Sequence, residues 1–188
     1  MHLAGTSRTP SPTYLSCLRG LVLKNLPQRK PNRLAAYNYS NSGYYFITIC
    51  VKDRYTLLGK INADNDIVLS NYGTIVKEKM ESIDEFFPFS KVVKYVIMPN
   101  HIHMILRLSY EVYYPTDSNN RTNMTIPRIV SALKRFTNKE IGFNMWQRSY
   151  HDHIIRNEKE FTMICDYIQN NPANWSKDCF YTSDQWWL

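Results

Sequence analysis

Two different spacings of hydrophobic residues separate the predicted strands from the predicted helices of this chain. The aromatic and β-branched run YYFITICV at 44–51 and the turn-bounded run DNDIVLS at 64–70 each predict a strand. After the second run the apolar residues recur at helical spacing as far as Pro88, which ends the segment. This helical stripe consists of Tyr72, Val76, Met80, Ile83 and Phe87.

Residues 90–108 contain two more strand-like runs, separated by the turn dipeptide Pro99-Asn100. A polar loop is predicted for 109–124. The next helix begins at Thr125, which can cap it, and ends at Gly142.

A short strand at 149–156 precedes the last predicted helix. Asn157, with Glu160 three residues later, forms a capping-box pattern at its start, and Pro172 closes it. The resulting order from 64 to 171 is strand, helix, strand, strand, helix, strand, helix. It predicts an α+β fold in which an antiparallel sheet carries its helices on one face, a split βαβ arrangement of the ferredoxin-like or RRM-like kind. The opposite face is left available for a ligand.

Charge and composition narrow the class of protein. The chain of 188 residues has a formal net charge of +7, which favours an anionic partner such as nucleic acid. No apolar run approaches the roughly 18 residues that cross a bilayer, so we expect no membrane partner. The four cysteines form no CxxC pair, which argues against a zinc ribbon and favours a cytoplasmic protein.

His101 and His103 lie two residues apart on a predicted strand, so both side chains emerge on one face. The alternate residues of that strand are all apolar and predict the core side. Two imidazoles at this spacing can hold one cation, although a pair of polar residues at the sheet rim fits the pattern equally well. A second pair, His151 and His153, has the same spacing and leaves open a four-histidine zinc hydrolase.

On the last helix, Tyr167 falls at the border between the buried and exposed faces, and Asn171 follows one turn later. A phenol and an amide therefore share a flank that can face the histidine strand. A boundary tyrosine that merely packs its ring is the ordinary alternative.

Three stretches together are distinctive: YVIMPNHIHMIL at 95–106, WQRSYHDHIIRN at 146–157 and DYIQNNPANW at 166–175. In this order they resemble the REP-associated tyrosine transposases, a branch of the single-tyrosine HUH transposases. The resemblance spans residues 29–175, which we take as the catalytic domain. It leaves 1–28 and 176–188 as tails.

This resemblance implies specific roles. His101 and His103 correspond to the pair that binds a divalent ion, Mg²⁺ or Mn²⁺, and Asn171 to the polar residue that completes the metal site. Tyr167 corresponds to the nucleophile that forms a 5′-phosphotyrosine link. The implied partner is DNA, a palindromic REP element folded as a hairpin with adjoining single strand. We therefore expect the protein at the bacterial nucleoid. A homodimer is one candidate assembly because related transposases work as dimers, and a monomer is the alternative implied by the REP-associated branch.

Several basic residues are candidates for contacting that DNA. Arg128, Lys134 and Arg135 lie off the apolar stripe of the helix that begins at Thr125. His153 and Arg156 fall in one of the family-like stretches. A module that binds nucleic acid without cutting it is a further alternative, although the alternating aromatic and basic strings of RNA-recognition folds are absent.

Overall fold

The computed structural model describes residues 37–109 and 124–182. Short 3₁₀ turns occupy Lys52–Arg54 and Pro172–Lys177. The strands and α-helices in chain order are β1 (Gly43–Cys50), β2 (Gly59–Ile61), β3 (Ile67–Leu69), α1 (Asn71–Glu81), α2 (Ile83–Phe86), β4 (Ser90–Met98), β5 (His101–Leu108), α3 (Thr125–Ile141), β6 (His151–Ile155) and α4 (Glu158–Asn170).

Four strands form one antiparallel sheet in the order β4-β5-β1-β6. With α1 between β1 and β4, and α3 between β5 and β6, this is the split βαβ topology. The α+β class and the antiparallel sheet are confirmed. β5 lies in the centre, where Thr48 of β1 pairs with His103.

One face of the sheet carries the main hydrophobic core. Tyr45, Ile47 and Ile49 of β1 alternate with residues that point to the other face, as the pleat requires. Ile102 and Met104 of β5 join them, together with buried residues of α1 and α3. The apolar face predicted for the histidine strand is therefore the core face.

The expectation that all helices share one face is wrong for α4. Its Ile164 and Ile168 pack against Phe46, Met98 and Ile105 on the opposite face of the sheet. That face presents enough apolar surface around the histidines to bind an amphipathic helix, and burying it is favourable. The face that we expected to be open to a ligand is consequently covered, and the histidines are buried beneath α4 and the chain after it.

Three local predictions also differ from the structure. The run at 64–70 supplies β3, which pairs with β2 in a separate two-stranded sheet. The helix predicted up to Pro88 is interrupted at Ser82. Thr125 is the first residue of α3 and not its cap; its backbone N–H donates to the Ser40 hydroxyl. Gly142 does end α3, in the left-handed conformation at φ 90°.

The start of α4 is fixed to the end of β6. The Asn157 side-chain oxygen accepts a hydrogen bond from the backbone N–H of Glu160 at 2.9 Å, as the capping pattern predicts. The Glu160 carboxylate in turn accepts from the Arg156 backbone N–H at 2.8 Å and lies 2.6 Å from Nε2 of His153. Because Tyr167 lies on α4, these contacts set the position of its side chain over the sheet.

Replacing Asn157 by alanine is expected to lower the free energy of unfolding by about 1 kcal/mol, because the Glu160 N–H loses its acceptor. Urea denaturation followed by circular dichroism measures the change. Asn157→Asp keeps an acceptor at the cap and should remain close to wild type. Equal losses in both variants would contradict the capping role.

Candidate metal and nucleophile site

The side chains of the two histidines of β5 lie next to each other on one face of the strand. Nε2 of His101 and Nε2 of His103 lie 2.9 Å apart. Both residues are buried, at 0% and 2% exposure. The predicted shared face is confirmed.

Asn100 fixes the ring of His101. The Asn100 amide nitrogen donates to the backbone carbonyls of Arg54 at 3.2 Å and Phe180 at 2.8 Å, so its oxygen must face the histidine. An amide oxygen only accepts, and Nδ1–H of His101 therefore donates to it at 2.9 Å. Nε2 of His101 is left with a lone pair directed at its neighbour.

Thr48 and Phe46 hold the second ring. The Thr48 hydroxyl lies 2.8 Å from Nδ1 of His103, and the Phe46 ring stacks on the imidazole at 5.2 Å between centroids. A hydroxyl can donate or accept, so Thr48 satisfies His103 in either tautomer. With Nδ1 protonated, Nε2 of His103 also presents a lone pair.

Tyr167 reaches this pair within the same chain. Its hydroxyl oxygen lies 3.2 Å from Nε2 of His103, and its ring packs edge-on against Phe46 at 6.0 Å. The side chain is half-buried, as its border position on the helix predicts. The phenol and both imidazoles thus converge without a second subunit.

Sequence reasoning missed Asp178, which it assigned to a tail. Among the described residues, the metal-ligating side chains whose ligand atoms lie within 4.8 Å of one another are His101, His103 and Asp178. The segment after α4 brings this carboxylate to the site, with Trp175 and Phe180 packed against the His101 ring. This segment extends beyond residue 175, where the expected domain ends, and it contacts the histidines. Aromatic residues close to the carboxylate are the signal that could have indicated packing.

Asn171, the predicted third metal ligand, lies beside that carboxylate. It is buried at 3% exposure, and its amide nitrogen donates to Oδ2 of Asp178 at 3.1 Å. Within the described part of the chain, its side-chain oxygen has no hydrogen-bond donor. A buried oxygen in this state is costly unless a cation or a water binds it.

Burial shifts the pKa values of the charged groups in opposite directions. Desolvation lowers the pKa of His101 well below its ordinary 6.5, with His103 and Arg54 adding to the effect, and lowers that of His103 to about 3. Burial raises the pKa of Asp178, opposed by hydrogen bonds from the Phe180 backbone, Asn171 and Tyr167. The imidazoles are therefore neutral and available as ligands.

The second histidine pair does not join this cluster. His153 contacts Glu160 at the start of α4, and His151 is exposed on β6. Neither belongs to the group of ligand atoms formed by His101, His103 and Asp178. The described geometry therefore does not support a four-histidine centre.

The predicted DNA contacts are dispersed. Arg128 and Arg135 are exposed on α3, on the opposite side of the sheet from the histidines. Lys134 donates to the backbone carbonyls of Gln147 at 2.7 Å and Ser149 at 2.9 Å, so its ammonium anchors the chain before β6. Arg156 is exposed in the short connection between β6 and α4.

The residues present fit a divalent cation. Two neutral imidazole nitrogens and a carboxylate are a donor set for first-row divalent metals, and Asn100 and Thr48 orient the rings from behind. Nε2 of His101 has a lone pair, and the Asn171 side-chain oxygen has no hydrogen-bond donor among the described residues. A cation at this position would stabilise both atoms. The cluster can hold a metal ion.

Comparison with known proteins finds similar sequences and a similar fold. A family profile described as "Transposase IS200 like" matches residues 39–171. An uncharacterised protein of Haemophilus influenzae is 38% identical over 169 residues, covering 81% of this chain and 93% of the relative. Another protein of that organism, named "Putative REP-associated tyrosine transposase", is 26% identical and covers 72% of this chain and 73% of its own.

A solved structure described as a REP-associated tyrosine transposase bound to a REP hairpin shares the fold. Its TM-score is 0.51 at 21% identity, over 71% of this chain and 68% of that one. The chain belongs to the IS200-like transposase family, because the family profile covers most of it. The resemblance to the REP-associated branch is confirmed, and family membership supports a DNA-cleaving transposase. No helix among the described residues is long and apolar enough to cross a membrane.

The metal-free protein is expected to lose stability as the pH falls from about 7 to about 5. His101 and His103 have folded pKa values below the ordinary 6.5, so the unfolded chain binds more protons in this range. Each can cost up to about 1.4 kcal/mol per pH unit below its unfolded pKa. The raised pKa of Asp178 acts in the opposite direction and offsets part of the slope of the two histidines.

Urea unfolding at a series of pH values measures this slope. His103→Gln should make it shallower. His151→Gln is the comparison variant: burial also lowers the pKa of His151, so it acts in the same direction, but His101 and His103 both remain and most of the slope should be kept. A slope unaffected by His103→Gln would show that the buried pair does not control acid stability.

Proposed function

We propose that this protein is a metal-dependent transposase that cleaves and rejoins single-stranded DNA at REP-type palindromes through a 5′-phosphotyrosine intermediate. The observation that carries the proposal is the 3.2 Å approach of the Tyr167 hydroxyl to Nε2 of His103, beside His101 and Asp178. A nucleophile within reach of metal-ligating groups is the arrangement that phosphodiester cleavage requires.

His101, His103 and Asp178 would hold the cation. When bound, Mg²⁺ or Mn²⁺ supplies charge that polarises the phosphate and stabilises the negative oxygens in the transition state. We assign the third ligand to Asp178 because its carboxylate carries a charge and the Asn171 amide does not. Asn171 then positions that carboxylate through its 3.1 Å hydrogen bond.

Tyr167 performs the attack. An ordinary phenol has a pKa near 10 and must lose its proton to become a strong nucleophile. The Asp178 carboxylate accepts a hydrogen bond from this hydroxyl, so in this proposal it also takes the proton. Sequence reasoning identified no base, because Asp178 reaches the site from the segment after α4.

The covalent step balances without any further reactant. The Tyr167 oxygen forms a bond to phosphorus, and the bond between phosphorus and the 3′ oxygen of the preceding nucleotide breaks. The leaving oxygen takes up a proton and becomes a free 3′-hydroxyl. Attack by another 3′-hydroxyl on the phosphotyrosine reverses the step and joins the strands.

Two observations support a REP-type DNA substrate. The net charge of +7 favours a polyanion, and the protein that shares the fold was solved with a REP hairpin. Such a substrate places the protein with the chromosome in the cytoplasm. All the proposed chemical groups lie in one chain, so a homodimer is not needed to complete the site.

Tyr167→Phe is expected to abolish a covalent protein–DNA adduct, because the ring keeps its packing but loses the attacking oxygen. The adduct is measured as a denaturant-resistant band with 5′-labelled and 3′-labelled single-stranded oligonucleotides that tile the palindromes beside the gene, in Mn²⁺ or Mg²⁺. Only the label on the 3′ side of the cut should stay with the protein.

Tyr150→Phe is the matched control and should keep the adduct, since Tyr150 lies just before β6 and is buried. An adduct that survives Tyr167→Phe, or no adduct with any oligonucleotide that the wild type binds, would contradict the proposed function. The second result would favour a binding module that does not cut.

Asp178→Asn is expected to weaken Mn²⁺ binding by about tenfold or more, because it removes the charged ligand. Isothermal titration of the protein without DNA measures the affinity independently of cleavage. Asn171→Ala should cause a smaller loss, since it removes only the group that positions Asp178. If Asn171→Ala causes the larger loss, the amide is the third ligand, as expected from the sequence.

A further inference from the structure

Arg54 occupies an unusual backbone conformation at the edge of the site. Both Asp53 and Arg54 have positive φ angles, 54° and 59°, in the turn after β1. The left-handed backbone conformation is unfavourable for residues other than glycine. Two consecutive residues in this conformation need contacts with their surroundings to stabilise it. Asn100 holds this one: its amide nitrogen donates to the Arg54 carbonyl at 3.2 Å. The same amide orients His101.

This conformation brings the guanidinium to the rim of the metal cluster. Nη1 of Arg54 donates to the Cys179 carbonyl at 3.2 Å, and its Cζ lies 5.6 Å from the centroid of the Phe180 ring. That ring lies 4.6 Å from the ring of His101. The guanidinium is therefore separated from a metal-ligating histidine by one aromatic ring.

Arg54 forms no direct ion pair within the described part of the chain, although its charge acts through space on the Asp178 carboxylate. Across residues 37–109 and 124–182, no Asp or Glu oxygen lies within 4.0 Å of its guanidinium. The side chain is exposed, and its field lowers the pKa of both His101 and Asp178. An exposed arginine in a strained, anchored position beside a cation site is available to an anion.

We propose that Arg54 binds a phosphate of the DNA strand that lies across the site, and thereby positions the scissile linkage for Tyr167. This inference rests on the proposed function. A guanidinium presents paired N–H donors that match two phosphate oxygens, and one of its donors already fixes its direction. The alternative is that Arg54 has only a structural role: its contacts with Cys179 and Phe180 would keep the segment that carries Asp178 next to the histidines.

The salt dependence of DNA binding separates the two roles. In a Tyr167→Phe background, which binds without cutting, Arg54→Gln should raise the Kd for single-stranded DNA about tenfold at 0.1 M salt. The slope of log K against log salt should fall in magnitude by about 0.7, the value for one lost phosphate contact on a single strand. Arg54→Lys should restore the slope, because it keeps the charge.

Lys77→Gln is the matched control. Lys77 is an exposed cation on α1, which packs on the face of the sheet opposite the histidines, and its loss should leave the slope unchanged. Thermal unfolding and Mn²⁺ titration of each variant test whether Arg54 has a structural role. If Arg54→Gln lowers the Mn²⁺ affinity or stability but leaves the salt slope intact, Arg54 is structural and the proposal is wrong.

Neutral methylphosphonate linkages locate the contact. Replacing one phosphate at a time, from the scissile linkage outward, should reveal a position where Arg54→Gln no longer weakens binding. That position is the phosphate that Arg54 binds. If the scan finds no such position, the proposal is wrong. If the effect of Arg54→Gln depends on one phosphate but the wild type forms no tyrosine adduct, the proposed function is wrong and the phosphate contact is still supported. Failure of the Tyr167→Phe protein to bind any DNA would refute both.

Discussion

The 2.9 Å contact between Nε2 of His101 and Nε2 of His103 is the constraint around which the rest of the site is arranged. Two imidazoles on alternate residues of one strand necessarily share a face, but facing nitrogens in a buried position repel unless something positive or a proton lies between them. Desolvation disfavours protonation of both rings. The surrounding side chains therefore determine whether a cation or a shared hydrogen bond fills this space.

The site is built from three parts of the chain. The strands β1 and β5 supply the histidines and Thr48, and α4, tied to β6 by Asn157 and Glu160, supplies Tyr167. The segment after α4 supplies Asp178, and its path depends on Asn100 and Arg54, which bind its carbonyls. Asn100 links these parts, since it bonds His101, Arg54 and Phe180 through one amide.

Periodicity along the chain was enough to predict the local elements, but it could not predict how they pack over long range. The period of β5 separates Ile102 from His101 and His103, and the pattern Asn157 to Glu160 marks the start of α4. Neither signal shows that α4 packs on the histidine face. The apolar stripe of a helix indicates which of its own sides is buried, but not which surface it packs against. Asp178 has no periodic context, and only the folded path of the chain brings it to the cluster.

The Thr48 hydroxyl lets the histidine pair exist in two protonation patterns. Because this hydroxyl can donate or accept, His103 can carry its proton on either nitrogen, and the pair can satisfy itself as Nε2–H donating to the His101 lone pair. The two rings are then hydrogen-bonded to each other, and neither Nε2 atom lacks a partner when no ion is bound. If a metal ion binds, this proton would move to Nδ1 of His103, and the ion would enter a site whose side chains are already in position.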